Sequence, residues 1–275
     1  MMVISGVIPN YNGGEKLVKT VNLCLEYCDE VLVVDDYSQD NSISNLVKRV
    51  RNKKLKILKN EKNSGASYCR NKGFSESIGN KVLFIDNDCY LNKVNFKKML
   101  EYKGDIVYPK IIDSNKKLYN YHKGQKYLQN SVCFIISREK FEKIGGFDEN
   151  IIIYMDDVEF FYRCYKDKLT FRYIANAEGY HDGKKSMSNI SRIFFLNLKN
   201  TVYFCLKHKR FGLLKDDFPN LLTVLLNLRR AIINKDRLYN KNITNYRIVT
   251  FLKSLGTIMS GIKLYITRKS TGEYF

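Results

Sequence analysis

Short apolar runs alternate with polar segments of helical character through the first half of the chain. The apolar runs predict four strands, at Val3–Pro9, Glu30–Asp35, Leu55–Lys59 and Lys81–Asp86. The segments between them predict three helices, at Glu15–Cys28, Ser42–Arg51 and Ala66–Ser77. Apolar strands that alternate with helices are typical of a mostly parallel sheet with helices on both faces. Since crossovers between parallel strands are right-handed, the pattern predicts a Rossmann-like α/β fold.

The alternation continues into the middle of the chain, and the last third changes character. Further strands are predicted at Asp105–Ile112, Ser131–Ile136 and Phe171–Ala175, with a helix near Asp156–Lys166. In the last third, apolar clusters lie beside basic residues in three helical patterns, at Ile190–Arg210, Phe218–Asn234 and Tyr246–Lys269. We therefore expect an α/β domain over residues 1–188 and a basic, amphipathic helical extension over residues 189–275.

The net charge of +19 is concentrated at one end of the chain. Residues 184–275 contain 18 Lys and Arg against 4 Asp and Glu, which leaves 29 against 24 for the first 183 residues. Such a basic region favours phosphate-bearing partners, although a generally lysine-rich surface would give the same charge without any partner. No RNA- or DNA-binding motif is recognisable and the basic helices carry many apolar residues, so we expect no nucleic-acid partner.

The apolar stretches of the last third are too short to cross a bilayer. Nine residues separate Lys253 from Lys263, and Arg229-Arg230 ends the apolar stretch Leu221–Leu228. Basic amphipathic helices can lie in the membrane interface, so we expect peripheral contact with an anionic membrane. The alternative is that these helices pack on the α/β domain and only their outer faces are basic.

Two further features bear on location. The first residues lack a basic segment and run directly into a strand, so no signal peptide is expected. The seven cysteines show neither C-x-x-C nor zinc-type spacing, which indicates a reducing compartment. These two features predict a cytoplasmic protein, and the expected membrane contact of the last third places it on the inner face of the cell membrane.

Polar clusters follow three of the predicted strands, at Asn10-Tyr11-Asn12, Asp35-Asp36 and Asp86-Asn87-Asp88. Ligands of open α/β sheets bind at the carboxyl ends of strands, so the three clusters predict one site. Two carboxylates spaced by one residue can hold Mg²⁺ or Mn²⁺, which would bridge the phosphates of a ligand. Asp35 and Asp36 could bind a base or a ribose, or could instead cap the next helix, as Asp40 or Ser42 also could.

Three other segments carry residues with candidate chemistry. The loop from Asn63 to Gly73 can present backbone N–H groups and Arg70 to phosphate, or Arg70 can simply be solvated. Asp156-Asp157 either complements a helix dipole or supplies a carboxylate that takes a proton from an acceptor hydroxyl. For His181 a structural role is the default, and contact with a metal would require proximity to Asp88.

Taken together and in order, these segments resemble glycosyltransferase family 2, especially its bacterial and archaeal rhamnosyltransferase-like members. The similar segments are Val7–Asn12, Val33–Asp40 with Tyr37 where glycine is usual, Asn63–Gly73, Phe84–Asp88, Gly145–Glu149 with Asp156–Glu159, and His181 with Gly183 and Ser186. They cover about residues 3–186, and six matches in order are far more specific than any one alone.

The resemblance implies a GT-A fold and an inverting transfer of a sugar from a nucleotide diphosphate sugar, UDP- or dTDP-linked, to a hydroxyl of a glycan or lipid-linked acceptor. It places the donor in about residues 1–110 and the acceptor in about 111–188. The implied product belongs to a cell-surface glycan or glycolipid. The implied donor residues are Pro9, Asn10, Tyr11, Asn12, Asp35, Asp36, Asn63, Gly65, Arg70, Asp86 and Asn87.

The resemblance also assigns the metal and the base. Asp88 would be the main ligand of Mn²⁺ or Mg²⁺, with Asp86 assisting and His181 contacting metal or diphosphate. Asp157 would be the general base, and Asp156 or Glu159 would shape the acceptor site.

Two alternatives lie outside this assignment. A nucleotidyltransferase would need a G-x-G-x-x-[ST] signature, which Asn12-Gly13-Gly14-Glu15-Lys16 lacks. A degenerate transferase could act as a binding module at a membrane complex, although the retained Asp88 and Asp157 argue against it.

Overall fold

The structure is a computed structural model, which describes residues 2–119, 130–183, 190–209 and 256–267. The chain divides into two compact units, Met1–Lys185 and Ser186–Phe275. The described part of the second unit consists of helix α7 (Ile190–His208) and helix α8 (256–267). The helix expected at Phe218–Asn234 lies outside the described residues, as does the first part of the one expected at Tyr246–Lys269. Among the described helices, none combines the length and apolarity that a bilayer crossing requires.

The first unit is built on one mixed sheet of eight strands. The strands are β1 (Ile4–Asn10), β2 (Glu30–Asp35), β3 (Leu55–Lys59), β4 (Lys81–Ile85), β5 (Cys89–Tyr90), β6 (Ile106–Asp113), β7 (Cys133–Ser137) and β8 (Phe171–His181). Their order in the sheet is β3-β2-β1-β4-β7-β6-β8-β5. The first four strands are mutually parallel, β7 runs antiparallel to both β4 and β6, and β5 runs antiparallel to β8.

Helices cover both faces of this sheet. They are α1 (Gly14–Leu25), α2 (Ser42–Arg49), α3 (Ala66–Ser75), α4 (Lys93–Leu100), α5 (Arg138–Ile144) and α6 (Asp156–Lys166). Strand β2 shows why two layers form, because Val31 and Val33 pack into one core and Leu32 into the other. A strand buried on both faces is continuously apolar, and this is the pattern that the sequence shows.

Strand β8 is longer than the sequence pattern indicates and runs to His181 rather than ending at Ala175. A bulge makes this possible, since Pro109 pairs with Ile174 whereas the next residue, Lys110, pairs with Glu178. Beyond the bulge, β8 pairs with β5, and His181 lies opposite Cys89. The longer strand therefore brings His181 beside Cys89, the residue that follows Asp88.

Helices α4 and α5 and strand β5 are three elements that the sequence patterns did not indicate. Each helix has an identifiable start, because the side chain of Asn92 accepts a hydrogen bond from Asn95 N and that of Ser137 accepts one from Lys140 N. Helix α5 ends at Gly145, which adopts φ +80°, a conformation that favours glycine.

Candidate functional site

The three polar clusters meet at one edge of the sheet. Asn10 and Asp35 are the last residues of the parallel strands β1 and β2, and Asp86 follows β4 directly. Asn10 Nδ2 donates to Asp35 Oδ1 at 2.9 Å, and Asn87 Nδ2 donates to Asn10 Oδ1 at 2.8 Å. The buried side chain of Asn10 thus connects the clusters on both sides of it.

The loops after β1 and β2 are tied together beside Asp35. Ser38 Oγ donates to Asp35 Oδ1 at 2.6 Å and accepts from Asn12 N at 2.9 Å. Tyr11 and Tyr37 are each 51% exposed at this point, and Tyr37 adopts φ +65°. Pro9 is half-buried in β1. The arrangement leaves two aromatic side chains exposed beside a buried carboxylate.

The carboxylate of Asp36 binds the loop that precedes helix α3. Its Oδ1 accepts from Asn60 Nδ2 at 2.9 Å and from Ser64 N at 2.7 Å, and its Oδ2 accepts from Gly65 N at 2.8 Å. Gly65 has φ +91°, and a Cβ there would lie 2.3 Å from the main-chain oxygen of Ile152. Asp36 therefore shapes the loop that carries the exposed Asn63, and its contact with a nucleotide stays a prediction.

Arg70 lies at the centre of the site and is only 3% exposed. The alternative that its side chain is simply solvated is therefore wrong. Its Nη2 donates to Asp86 Oδ1 at 2.8 Å and its Nη1 donates to Asp156 Oδ2 at 3.0 Å. Burial raises the pKa of Asp86 to about 6, although the charge of Arg70 opposes part of that rise. One guanidinium thus joins the carboxylate after β4 to the carboxylate at the start of α6.

Asp88 and His181 form a second pair at the same edge. Asp88 Oδ1 lies 3.1 Å from His181 Nε2. Burial alone would raise the pKa of Asp88, but the hydrogen bond and charge of His181 outweigh it and hold the pKa below its usual value. Burial alone would lower the pKa of His181, but Asp88 raises it above its usual value. The other ring nitrogen of His181, Nδ1, is buried with no partner among the described residues.

This pair fits a divalent cation that is completed by substrate. A carboxylate oxygen and an imidazole nitrogen are accepted ligands of Mn²⁺, and Mg²⁺ is commonly held by one or two carboxylates together with substrate phosphates. Within the described ranges, no group of three or more His, Cys, Asp or Glu side chains could hold a metal ion without substrate. Asp88 and His181 are therefore the pair that would hold a cation, and the metal-binding roles of Asp86, Asp88 and His181 stay predictions.

Asp157 lies in the first turn of helix α6. It follows Asp156, the residue that accepts a hydrogen bond from Arg70. The helix begins after Tyr154 and Met155, which both adopt positive φ, +61° and +68°. Asp157 is partly exposed, and its Oδ1 accepts from Val158 N at 2.8 Å. Burial raises its pKa to about 7, and repulsion from Asp156 adds to the rise. A carboxylate with a pKa near neutrality is suited to accept a proton at physiological pH.

Glu159 belongs to a different contact network from Asp157. It is fully buried, and Arg163 donates to both of its oxygens, from Nε at 3.0 Å and from Nη2 at 2.8 Å. Arg163 also donates to the main-chain oxygen of Gly146 at 2.6 Å. Through Arg163, Glu159 is connected to the Gly145-Gly146 turn, and its assigned role stays a prediction.

Tyr119 packs beside His181. Its ring packs against that of His181, with centroids 4.4 Å apart. Burial raises the pKa of Tyr119 to about 12, and the charges of Asp86, Asp88 and Asp157 add to that rise.

Two residues near Asp88 were missed by sequence reasoning. Lys16, in the first turn of α1, lies 3.9 Å from Asp88 Oδ2 and 3.9 Å from Asp182 Oδ2, measured from its Nζ. Asp182 also accepts from the hydroxyl of Tyr90, at 3.4 Å. The one feature of the sequence that could have indicated Lys16 is its position at the start of α1, just after the loop that follows β1.

Comparison with curated proteins finds relatives that are named as poly(ribitol-phosphate) glycosyltransferases. The chain is 36% identical over 104 residues to the poly(ribitol-phosphate) β-N-acetylglucosaminyltransferase TarS of Staphylococcus aureus, over 35% of this chain and 18% of TarS. It is 29% identical over 204 residues to TarP of the same species, with the same described activity, over 66% of this chain and 60% of TarP. The matched region thus spans less than two thirds of either relative.

Solved structures show the fold. The structure of TarS 1-349 in complex with UDP-GlcNAc superposes with a TM-score of 0.58 at 21% identity, over 74% of this chain and 67% of that one. GalNAc-T7 with UDP, GalNAc and Mn²⁺ superposes with a TM-score of 0.59 at 17% identity, over 74% and 48%. These similarities confirm the α/β fold of GT-A type that the sequence predicts.

The family assignment rests on a match along most of the first unit. The profile of the family described as "Glycosyl transferase family 2" matches residues 5–166, which include Asn10, Asp35, Arg70, Asp88 and Asp157. The chain belongs to glycosyl transferase family 2, and its assignment to the glycosyltransferase class is thereby confirmed.

Proposed function

We propose that this protein transfers a sugar from a nucleotide diphosphate sugar to a hydroxyl of a cell-wall glycan acceptor, with inversion and with a divalent cation. The observation that carries the proposal is the bridge made by Arg70, whose guanidinium binds Asp86 on one side and Asp156 on the other. It places the Asp86–Asp88 segment beside the start of helix α6. This supports a proposed cation–diphosphate site and a proposed proton acceptor on neighbouring segments.

The donor side is proposed to bind the nucleotide between β1 and β2. The exposed rings of Tyr11 and Tyr37 offer aromatic surface to a base, and Asp35 offers a carboxylate to a base or a ribose hydroxyl. TarS crystallised with UDP-GlcNAc supports a uridine nucleotide. We therefore propose UDP as the carrier and dTDP as the alternative.

The acceptor side is proposed to use Asp157 as the general base. Its carboxylate would take the proton from the acceptor hydroxyl while that oxygen attacks the anomeric carbon from the face opposite the diphosphate. Arg70 and Asp156 would hold the start of helix α6 in place. A bound divalent cation would neutralise charge that develops on the departing diphosphate, as the Asp88–His181 pair and the Mn²⁺ of GalNAc-T7 suggest.

A thermal-shift screen of nucleotide sugars, each with and without Mn²⁺, tests the donor and the cation together. A true donor is expected to raise the melting temperature by several degrees only when Mn²⁺ is present, because ligand that binds the folded state stabilises it. The matched control is the Asp88→Asn variant, which should lose the metal-dependent part of the shift. An equal shift without metal would contradict the cation requirement, and no shift with any nucleotide sugar would contradict the transferase proposal.

We further propose that the basic last third contacts anionic membrane. The +14 excess charge of residues 184–275 and their apolar clusters support this. The full-length protein is expected to float with vesicles that contain anionic phosphatidylglycerol, and to stay at the bottom with neutral phosphatidylcholine vesicles. High salt should release it, because the attraction is screened within about 3 Å at 1 M salt. Protein that sediments equally with both kinds of vesicle would contradict membrane attachment.

A further inference from the structure

Lys16 contacts the candidate cation site without having been assigned any role there. Its ammonium lies 3.9 Å from Asp88 Oδ2 and 3.9 Å from Asp182 Oδ2, and it donates a hydrogen bond to the main-chain oxygen of Asp182. Within the described part of the chain, Lys16 and His181 are the two basic side chains within 4 Å of the Asp88 carboxylate. The helix that carries Lys16 follows the loop after β1 directly.

The ammonium of Lys16 is not sequestered in this position. The side chain is 32% exposed, and both carboxylate oxygens lie at the outer limit of an ion pair. Arg70 differs in this respect, because it is buried and its two Nη atoms bind Asp86 and Asp156 at 3.0 Å or less. Of the two cations, Lys16 is therefore the one whose contacts with carboxylates are weak, and its hydrogen bond to the main-chain oxygen of Asp182 leaves its other two N–H groups available to a ligand.

The negative charge at this edge favours a further cationic group beside a bound diphosphate. Asp86, Asp88 and Asp182 all lie here. The diphosphate of a nucleotide sugar carries two negative charges and gains a third as the sugar departs, so one divalent cation does not neutralise the departing diphosphate fully. Arg70 is committed to the two carboxylates that it bridges. A diphosphate held by a cation on Asp88 would lie within a few ångströms of the Lys16 ammonium, because Asp88 Oδ2 is itself 3.9 Å from it.

We propose that Lys16 is a further donor-binding residue, whose ammonium turns from Asp88 and Asp182 to the diphosphate of the nucleotide sugar. The inference rests on the proposed function and names a residue that the family resemblance did not assign. Lysine binds phosphate as a flexible point charge, which suits a group that moves between two partners. In the free protein, the same ammonium compensates the Asp88 carboxylate.

Binding of UDP and of UMP, each in the presence of Mn²⁺, tests the proposal by calorimetry. The Lys16→Met variant is expected to weaken UDP binding by about ten-fold or more, the effect of losing a charge-assisted hydrogen bond. UMP binding should weaken by about three-fold or less, since UMP lacks the second phosphate. Lys16→Arg should keep most of the UDP affinity. The matched control is Lys19→Met, one turn further along α1, whose ammonium lies over the ring of Tyr90 at 3.9 Å.

Binding of Mn²⁺ alone, measured by electron paramagnetic resonance, separates direct contact from an indirect effect. Lys16→Met should bind Mn²⁺ at least as well as wild type, because the ammonium no longer competes for Asp88. Equal loss of UDP and UMP affinity, or weaker binding of Mn²⁺ alone, would show that Lys16 only positions Asp88 and would overturn the proposal. Unchanged UDP binding in Lys16→Met would overturn it while leaving the proposed function intact. Failure of wild type to bind UDP with Mn²⁺ would overturn the UDP donor and this inference together.

Discussion

Asparagine in place of Asp157 is expected to slow sugar transfer by about 10²–10⁴-fold, which corresponds to roughly 3–5 kcal/mol in activation free energy. The amide keeps the shape of the side chain but cannot accept the proton of the acceptor hydroxyl. The measurement is release of UDP from a UDP-sugar in the presence of cell-wall glycan acceptors. A rate equal to wild type would show that another group is the base.

The pH dependence of wild type provides an independent check on Asp157. Burial, with repulsion from Asp156, raises the pKa of this carboxyl to about 7, and only the ionised form can act as base. The value of kcat/KM is therefore expected to rise with pH up to about 7 and to level off above it. In the Asp157→Asn variant, kcat/KM should no longer rise with pH in this range. If the rise remained, the group that titrates near pH 7 would be a different one.

Two controls distinguish loss of the base from loss of structure. Asp167→Asn removes a carboxylate at the other end of the same helix, where Asp167 pairs with Lys143 near the surface, and should leave the rate within about two-fold of wild type. The melting temperature of Asp157→Asn should not fall, because the change removes a carboxylate whose ionised form is disfavoured by its surroundings. A large drop in melting temperature would attribute the lost activity to unfolding.

The sequence predicted the parts of the site that local patterns determine. The apolar runs placed Asn10, Asp35 and Asp86 at the ends of parallel strands, and such ends share one edge of a sheet. In the structure, Asn10 hydrogen-bonds both Asp35 and Asn87, the residue that follows Asp86. The helices on both faces followed from the same patterns, because strands buried on both sides lack the polar alternation of a half-exposed sheet.

The rest of the site depends on tertiary contacts that no local pattern contains. His181 reaches Asp88 because β8 continues past a bulge to residue 181. The polar residues Asn176 and Glu178 in this part of the strand led the sequence pattern to predict that the strand ends before them. Lys16 and Asp182 are 166 residues apart in the chain and meet through the packing of α1. The hydrogen bonds from Ser64 N and Gly65 N to Asp36 also depend on tertiary structure, and the predicted contact of Asp36 with a nucleotide stays a prediction.

Methionine in place of Arg70 is expected to reduce both stability and activity severely. The change leaves the carboxylates of Asp86 and Asp156 without their shared cation, and removing one partner of a buried ion pair typically costs about 3–5 kcal/mol. Urea unfolding measures the free-energy loss, and transfer assays measure the rate. Lysine at this position should recover only part of both, because one ammonium cannot reproduce two N–H groups directed at two carboxylates.

A double substitution distinguishes the bridge from simple loss of packing. Asn in place of Asp156 removes one of the two carboxylates, so Arg70→Met combined with Asp156→Asn should cost less stability than the sum of the two single changes. Arg138→Met is the matched control, since Arg138 lies over the ring of Phe74 and donates to Gly79 O and Ser77 O without bridging two carboxylates. Its loss of stability should be smaller, and transfer should continue at a rate near that of wild type. If the double variant lost as much unfolding free energy as the two single variants together, Arg70 would stabilise the protein through contacts other than its bridge. The start of helix α6 would then not depend on Arg70.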